Sequence, residues 1–282
     1  MGDENVRVAA LQMCSGLSPE ANLDVIARLS AEAAAAGAHY VLTPEVSIAF
    51  ARDRAELATL AGPMEDNPAL KRCAEIARET GLFLHLGSLA VALENGLFAN
   101  RSVLFSPDGQ EVARYDKIHL FDADPPNDRP YRESASYQGG TEAVVTQAPG
   151  FGLGMSICYD VRFPQLFATL ANGGAGVMAV PAAFTVPTGR AHWEILLRAR
   201  AIETGSYVIA AAQAGQHENG RATWGHSMIV DPWGAVVSVR AEDSPGLVLA
   251  DIDPARVRDA RERLPALANA RPFSLSVNQG LS

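Results

Sequence analysis

The stretch Gly37-Ala38-His39-Tyr40-Val41-Leu42-Thr43-Pro44 recurs without gaps as Gly174-Ala175-Gly176-Val177-Met178-Ala179-Val180-Pro181. Each copy reads as a helix end, a short apolar strand and a proline that stops it. Working outward, Glu79-Thr80-Gly81-Leu82-Phe83-Leu84 is matched by Glu203-Thr204-Gly205-Ser206-Tyr207-Val208, a helix ended at glycine and followed by a buried strand. Ser106-Pro107-Asp108-Gly109 is matched by Asp231-Pro232-Trp233-Gly234, turns with proline second and glycine fourth that each close a hairpin. Helices are predicted over Ala21 to Ala36 and Pro68 to Thr80, then over Pro164 to Asn172 and Ala191 to Thr204. Each half therefore reads strand, helix, strand, helix, then three strands. Near-continuous apolar strands alternating with helices predict sheets covered by helices. Two such halves predict an α/β four-layer α-β-β-α sandwich, two packed mixed sheets related by an internal pseudo-twofold repeat. No linker or charge block separates the halves, so residues 1–282 read as one domain. Its charged, proline-punctuated tail from about 254 is expected at the surface or at a dimer boundary.

The composition of the 282 residues, 48% apolar and 20% charged, is that of an ordinary globular protein. A net charge of −9 opposes binding to nucleic acid or to an anionic membrane surface. No apolar run reaches the roughly 18–20 residues of a membrane span, and the acidic start Met1-Gly2-Asp3-Glu4 is unlike a signal peptide. Three cysteines, Cys14, Cys73 and Cys158, without a CxxC pair, read as a reduced, cytoplasmic protein with neither a disulfide framework nor a zinc ribbon. The metal and nucleotide signatures HExxH, GxxxxGK[ST] and a strand-linked GxGxxG are missing, so no metal and no cofactor is expected.

Cys158 ends the apolar run Phe151 to Ile157, and Pro164 starts a helix a few residues later. A cysteine on such an elbow is either an exposed nucleophile or a small core residue. A nucleophile needs a base and a stabiliser of the developing oxyanion. A histidine base is possible, but His85, His119, His192 and His226 carry no cysteine-protease signature. A partly desolvated carboxylate can replace it. Glu45 follows the first repeated strand at the end where α/β proteins place ligands, and the second repeat has Ala182 there. Lys117, at the end of the first hairpin, is a candidate oxyanion stabiliser or a surface lysine, and Glu133 is a second candidate carboxylate.

The blocks Leu42-Thr43-Pro44-Glu45, Asp116-Lys117-Ile118-His119-Leu120-Phe121-Asp122 and Gly154-Met155-Ser156-Ile157-Cys158-Tyr159-Asp160-Val161-Arg162-Phe163-Pro164 resemble, in order and spacing, the three signatures of the nitrilase superfamily of carbon-nitrogen hydrolases. The resemblance covers nearly the whole chain. It implies Glu45 as general base, Cys158 as nucleophile and Lys117 as stabiliser of the tetrahedral intermediate. It also implies Glu133 as a supporting carboxylate, the Tyr159 backbone N–H in the oxyanion hole, cofactor-free hydrolysis and a homodimer or higher homo-oligomer.

Arg162 and Arg190 are expected in loops after strand ends of the second half. There they either bind a substrate carboxylate or form inter-loop salt bridges. Thr188 to Glu194, Arg198 to Thr204, Ala211-Ala212-Gln213 and Trp224-Gly225-His226-Ser227-Met228 resemble the Nit branch. Within it they look closer to the deaminated glutathione amidases, which yield 2-oxoglutarate and Cys-Gly, than to the ω-amidases acting on 2-oxoglutaramate. Rival readings are an ω-amidase, an N-carbamoyl amidase, a nitrilase, or a non-catalytic binding protein on the same fold.

Overall fold

The computed structural model describes residues 5–126 and 128–277; the acidic start at 1–4 lies outside them. In chain order the strands of the first half are β1 (Val6–Gln12), β2 (Tyr40–Leu42), β3 (Phe83–Ala92), β4 (Phe98–Phe105), β5 (Glu111–Asp116), β6 (Asp122–Ala123) and β7 (Tyr131–Arg132). Those of the second half are β8 (Val145–Ala148), β9 (Phe151–Met155), β10 (Val177–Ala182), β11 (Tyr207–Ala212), β12 (Ala214–Gln216), β13 (Ala222–Trp224), β14 (Met228–Val230), β15 (Val236–Val239) and β16 (Gly246–Ile252). The helices are α1 (Pro19–Ala35), α2 (Arg54–Leu60), α3 (Pro68–Thr80), α4 (Pro164–Asn172), α5 (Val186–Thr204) and α6 (Pro254–Arg263).

One six-stranded sheet runs β16-β1-β2-β3-β4-β5 and the other β8-β9-β10-β11-β14-β15. The orders coincide strand for strand: parallel β1-β2-β3 is matched by parallel β9-β10-β11, each flanked by antiparallel strands. This is the two-sheet architecture expected from the repeat. The central run Val8 to Leu11 of β1 shows why its residues are all apolar. Val8 and Ala10 face the second sheet, whereas Ala9 and Leu11 pack with Ile26 and Leu29 of α1 and Ile76 of α3. A strand buried on both faces has no polar side to alternate with. Between the sheets Tyr40 and Leu42 join Ala179, Ile209 and Ala211 in one cluster. Beyond the second sheet Trp193 and Leu197 of α5 and Phe167 of α4 cover Met178, Val180 and Val208.

Local chemistry sets the helix ends. The Ser18 and Asn67 side chains accept the first-turn amides of α1 and α3, each followed by proline at the first helical position. Gly81 and Gly205 end α3 and α5 in the left-handed conformation, with φ of 70° and 56°. Gly87 of β3 is needed for a different reason. A Cβ there would lie 2.0 Å from the Thr43 carbonyl and 2.6 Å from Pro181, so only glycine lets the two repeats approach where the site is built.

The structure departs from the sequence reading in several places, helices α2 and α6 and the short strands β6, β7, β12 and β13 being additional to it. Helix α5 starts at Val186 rather than Ala191, because Pro187 occupies its first turn, so Arg190 is helical and not in a loop. Arg162 likewise sits in a 3-10 turn, Cys158–Arg162, rather than in an open loop. Each sheet also gains a sixth strand, β8 or β16, whose pairing is an edge contact. For β16 the partner is β1, with Val6 opposite Ile252 at the far end of the chain. The tail begins as a docked helix: Arg261 of α6 donates to the Thr204 and Ala175 carbonyls at 2.9 and 2.7 Å. Among the described residues no helix is long and apolar enough to cross a membrane.

Candidate active site

Glu45, Lys117, Glu133 and Cys158 line one cavity of about 230 Å³ at the C-terminal ends of β2 and β10. Each arrives on a different element. Glu45 follows β2 through Thr43 and Pro44, and the loop is pinned by Gln213 Nε2 donating to the Glu45 carbonyl at 3.0 Å. Val46 next to it has φ of 50°, costly for a β-branched residue, and its N–H donates to Ser88 Oγ at 2.9 Å. Lys117 continues β5 by one residue, its N–H donating to the Asn100 carbonyl at 3.0 Å. Glu133 opens a 3-10 turn after β7. Cys158 opens another after β9, with φ of 50°, so two strained residues flank the cavity.

Lys117 Nζ donates to Glu45 Oε1 at 2.9 Å and to both Glu133 oxygens at 3.0 and 2.8 Å. Asn100 Nδ2 bridges the same two carboxylates at 2.9 and 3.3 Å. The other Glu45 oxygen accepts the Ala183 N–H at 3.0 Å, from the end of the strand whose repeat-related partner carries Glu45. The Lys117 side chain is only 2% exposed. Burial disfavours its ammonium, but Glu133, Glu45 and the Cys158 sulfur together hold its pKa well above the ordinary lysine value. The Cys158 thiol is pushed well above its ordinary value, first by burial and then by the Glu45 carboxylate. Lys117 and the Ala183 amide oppose this. The resting sulfur is therefore a thiol beside a carboxylate able to take its proton, with a fixed ammonium close by.

Asp160 joins this group from beneath. Its fully buried carboxylate accepts the Ile157 N–H at 2.8 Å, the Tyr115 hydroxyl at 2.7 Å, and the His119 N–H and Nδ1 at 3.0 and 2.7 Å. It thereby ties the residue before Cys158 to the residues two either side of Lys117. Neither Asp160 nor Asn100 is singled out by the sequence alone. The one available signal was a polar residue inside an apolar stretch, Asn100 in β4 and Asp160 in the elbow.

The remaining candidates are placed as follows. The Tyr159 ring packs against Phe121 and Phe163 at centroid distances of 5.0 and 5.4 Å. Its amide lies in the first turn, ahead of the Asp160 N–H that donates to the Ile157 carbonyl. Arg162 lies over the Tyr159 and Phe184 rings and contacts His192 Nδ1 at 3.3 Å, and Arg190 lies over the Trp224 ring. Neither is among the residues lining the cavity, whereas Arg54, Arg132 and Arg221 are. His85 is a core residue between the Tyr40 and Ser102 hydroxyls, its pKa pulled down to about 3 by burial. Among the described residues no cluster of His, Cys, Asp and Glu has the form of a metal site.

The sequence pattern of the Carbon-nitrogen hydrolase family matches residues 7–262. The chain belongs to that family. It is accordingly a hydrolase, of the kind that acts on amides. Deaminated glutathione amidase of mouse is 42% identical over 270 residues, covering 94% of this chain and 83% of the relative. The protein of that name from Yersinia enterocolitica is 40% identical over 271 residues, covering 95% and 94%. The crystal structure of the C. elegans NitFhit protein superimposes on this carbon-nitrogen hydrolase with a TM-score of 0.89 at 37% identity. The match covers 96% of this chain and 66% of that longer one.

Proposed function

We propose that the protein hydrolyses linear carboxylate-bearing amides through a Cys158 thioester, with deaminated glutathione as the favoured substrate and 2-oxoglutarate and Cys-Gly as products. One observation carries the chemistry: Glu45, Lys117, Glu133 and the Cys158 thiol share the wall of a single cavity, with Lys117 held between the two carboxylates. Glu45 removes the thiol proton as Sγ attacks the amide carbon. The developing oxyanion is held by Lys117 Nζ and the Tyr159 N–H. Protonated Glu45 passes that proton to the leaving nitrogen, the C–N bond breaks, and the amine departs from a thioester. Glu45 then deprotonates a water that attacks the thioester carbon. Collapse of the second tetrahedral species breaks the C–S bond, and Glu45 returns the proton to Sγ. Glu133 keeps Lys117 charged and oriented. No cofactor or metal enters these steps.

The choice among amides is supported by the names of the two relatives at 40–42% identity. Incubation with candidate compounds followed by mass spectrometry tests it. Release of Cys-Gly supports the proposal; release of ammonia from 2-oxoglutaramate or a nitrile makes the protein an ω-amidase or nitrilase instead. An N-carbamoyl amidase would release ammonia and carbon dioxide from carbamoyl compounds. Cys158→Ala is expected to lower turnover at least a thousandfold with the fold retained; substantial residual hydrolysis would refute the thioester route, and absence of any turnover in the unaltered protein would favour a binding protein.

We also infer a single catalytic domain over 1–282 working in a reducing compartment such as the cytoplasm, in keeping with three unpaired cysteines. A homodimer is supported by an apolar strip on the outer face of α5. Ile195 and Ile202, two turns apart, are 69% and 53% exposed beside Trp233 at 48%. Light scattering reading a monomer at micromolar concentration would overturn the dimer.

A further inference from the structure

Arg221 stands just before β13, in the turn that closes the β12–β13 hairpin, and its side chain enters the cavity wall. Its backbone is fixed on both sides: the N–H donates to Asn219 Oδ1 at 2.9 Å and the carbonyl accepts the His217 N–H at 2.8 Å. Asn219 is held in turn by donating to the Phe50 carbonyl at 2.9 Å. The guanidinium lies 5.0 Å from the Phe50 ring centre and 5.9 Å from that of Tyr131. Among the described residues it makes no hydrogen bond and no ion pair, and its Nε is buried without any acceptor.

The other cations of the wall are already committed. Lys117 is shared by Glu45 and Glu133, Arg132 pairs with Asp124 at 2.9 Å, and Arg54 donates to the Ala135 and Gly96 carbonyls. Arg129 adds a second positive charge on the Tyr131 ring, 5.3 Å from its centre. Burial and the repulsion from Arg129 both hold the Arg221 pKa below its ordinary value. A half-buried guanidinium whose Nε is sealed off without an acceptor is costly, and a planar fork with free donors matches a carboxylate in bidentate geometry.

We propose that Arg221 is the carboxylate anchor of the cavity, pairing with a carboxylate of the amide substrate while the scissile carbonyl lies against Cys158. The role rests on reading the site as a thiol amidase, and it assigns to Arg221 the recognition that the sequence pattern placed on Arg162 and Arg190. The bound carboxylate belongs either to the acyl half of the substrate or to the departing amine half; the charge chemistry is the same.

The test is protection of Cys158 from iodoacetamide, followed by mass spectrometry of the alkylated peptide, in the unaltered chain, Arg221→Met and Arg221→Lys. Glutarate probes the acyl side and glycylglycine the amine side. One of them is expected to slow alkylation of the unaltered chain at least fivefold, and Arg221→Met is expected to need at least ten times more of it for the same effect. Arg221→Lys should recover part of the protection, which a merely misfolded variant would not allow. Equal protection in all three proteins, or protection of none by either anion, would overturn the proposal. Turnover separates the two readings: the ratio of kcat/KM for glutaramate over neutral valeramide should fall at least tenfold in Arg221→Met. Hydrolysis of no amide by the unaltered chain would sink the amidase reading while leaving the protection result to judge the anchor.

Discussion

Replacing Asp160 by Asn keeps the shape of the side chain and removes its charge, at a point where four donors converge from two segments. One oxygen accepts the Ile157 N–H and the Tyr115 hydroxyl; the other accepts the His119 N–H and Nδ1. The Tyr115 hydroxyl can rotate and the His119 ring can change tautomer, but the two backbone amides cannot turn into acceptors. Whichever way the new amide is oriented, its NH₂ meets one of them. A buried amide left without an acceptor costs about 1–3 kcal/mol, and the remaining bonds lose their charge assistance, giving about 2–5 kcal/mol in all. At roughly 2–4 °C per kcal/mol for a domain of this order of size, the melting temperature should drop by about 4–20 °C. Ile157 precedes Cys158, which is held at φ of 50°, and Tyr115 and His119 flank Lys117, so sulfur and ammonium should lose their relative placement. A displacement of about 1 Å at reacting groups costs on the order of a hundredfold in rate. Steady-state kinetics on an amide below the new melting temperature should therefore show kcat down about a hundredfold with KM changed much less. A variant within threefold of the original kcat and within 2 °C of its melting point would refute this account of the elbow.

Burial and Glu45 both raise the Cys158 pKa, and a raised thiol pKa means that the neutral form persists to higher pH. The thiolate absorbance lost in Cys158→Ser should thus appear only above pH 9, and Glu45→Gln, which removes the anionic neighbour, should shift it downward; a thiolate already present at pH 7 would contradict the geometry. Glu133→Gln removes one of the two carboxylates on Lys117, and breaking such a buried pair costs about 3–5 kcal/mol. Part of that loss should appear as a kcat at least a hundredfold lower, and unchanged kinetics would remove Glu133 from the machinery. The Lys117 ion pairs have a defined pH window. Its folded pKa lies above the unfolded value of 10.5, so their stabilisation is complete below about pH 10 and is lost only as pH rises through the folded value, which alkaline denaturation midpoints of the Glu133→Gln variant would report. EDTA should leave turnover unchanged, since proton transfer and charge stabilisation are assigned to side chains; inhibition reversed by an added metal would require a different mechanism.

Much of this protein was legible from local chemistry. Pro68 to Thr80 and Pro164 to Asn172 are helical with the bounds that proline starts and glycine or turn stops indicate. The two prolyl-glycyl turns close the hairpins β4–β5 and β14–β15. The sequence places the beginning of α5 five residues late because Gly189, a weak helix former, sits in its first turns. A Cβ there would meet the Trp224 side chain at 2.2 Å, a close approach no sequence window contains. Strands β8 and β16 were missed for a related reason, since what makes them strands is an edge partner and not their own pattern.

Periodicity and repeat alone determine the layers, because burial on both faces of a central strand forces apolar residues at every position, and that signal is written locally. The repeat also marks Glu45 against Ala182, while Lys117 and Cys158 are singled out by the resemblance of the three signature blocks. Which side chains then meet was decided only by the packing of one sheet on the other. Asn100 bonds Glu45 and Asp160 bonds Tyr115 and His119, residues far away in the chain, and Arg162 and Arg190 turn toward aromatic rings while Arg221 is left without an acceptor in the cavity. Charge complementarity is a property of what surrounds a group in space, and linear order carries no measure of it.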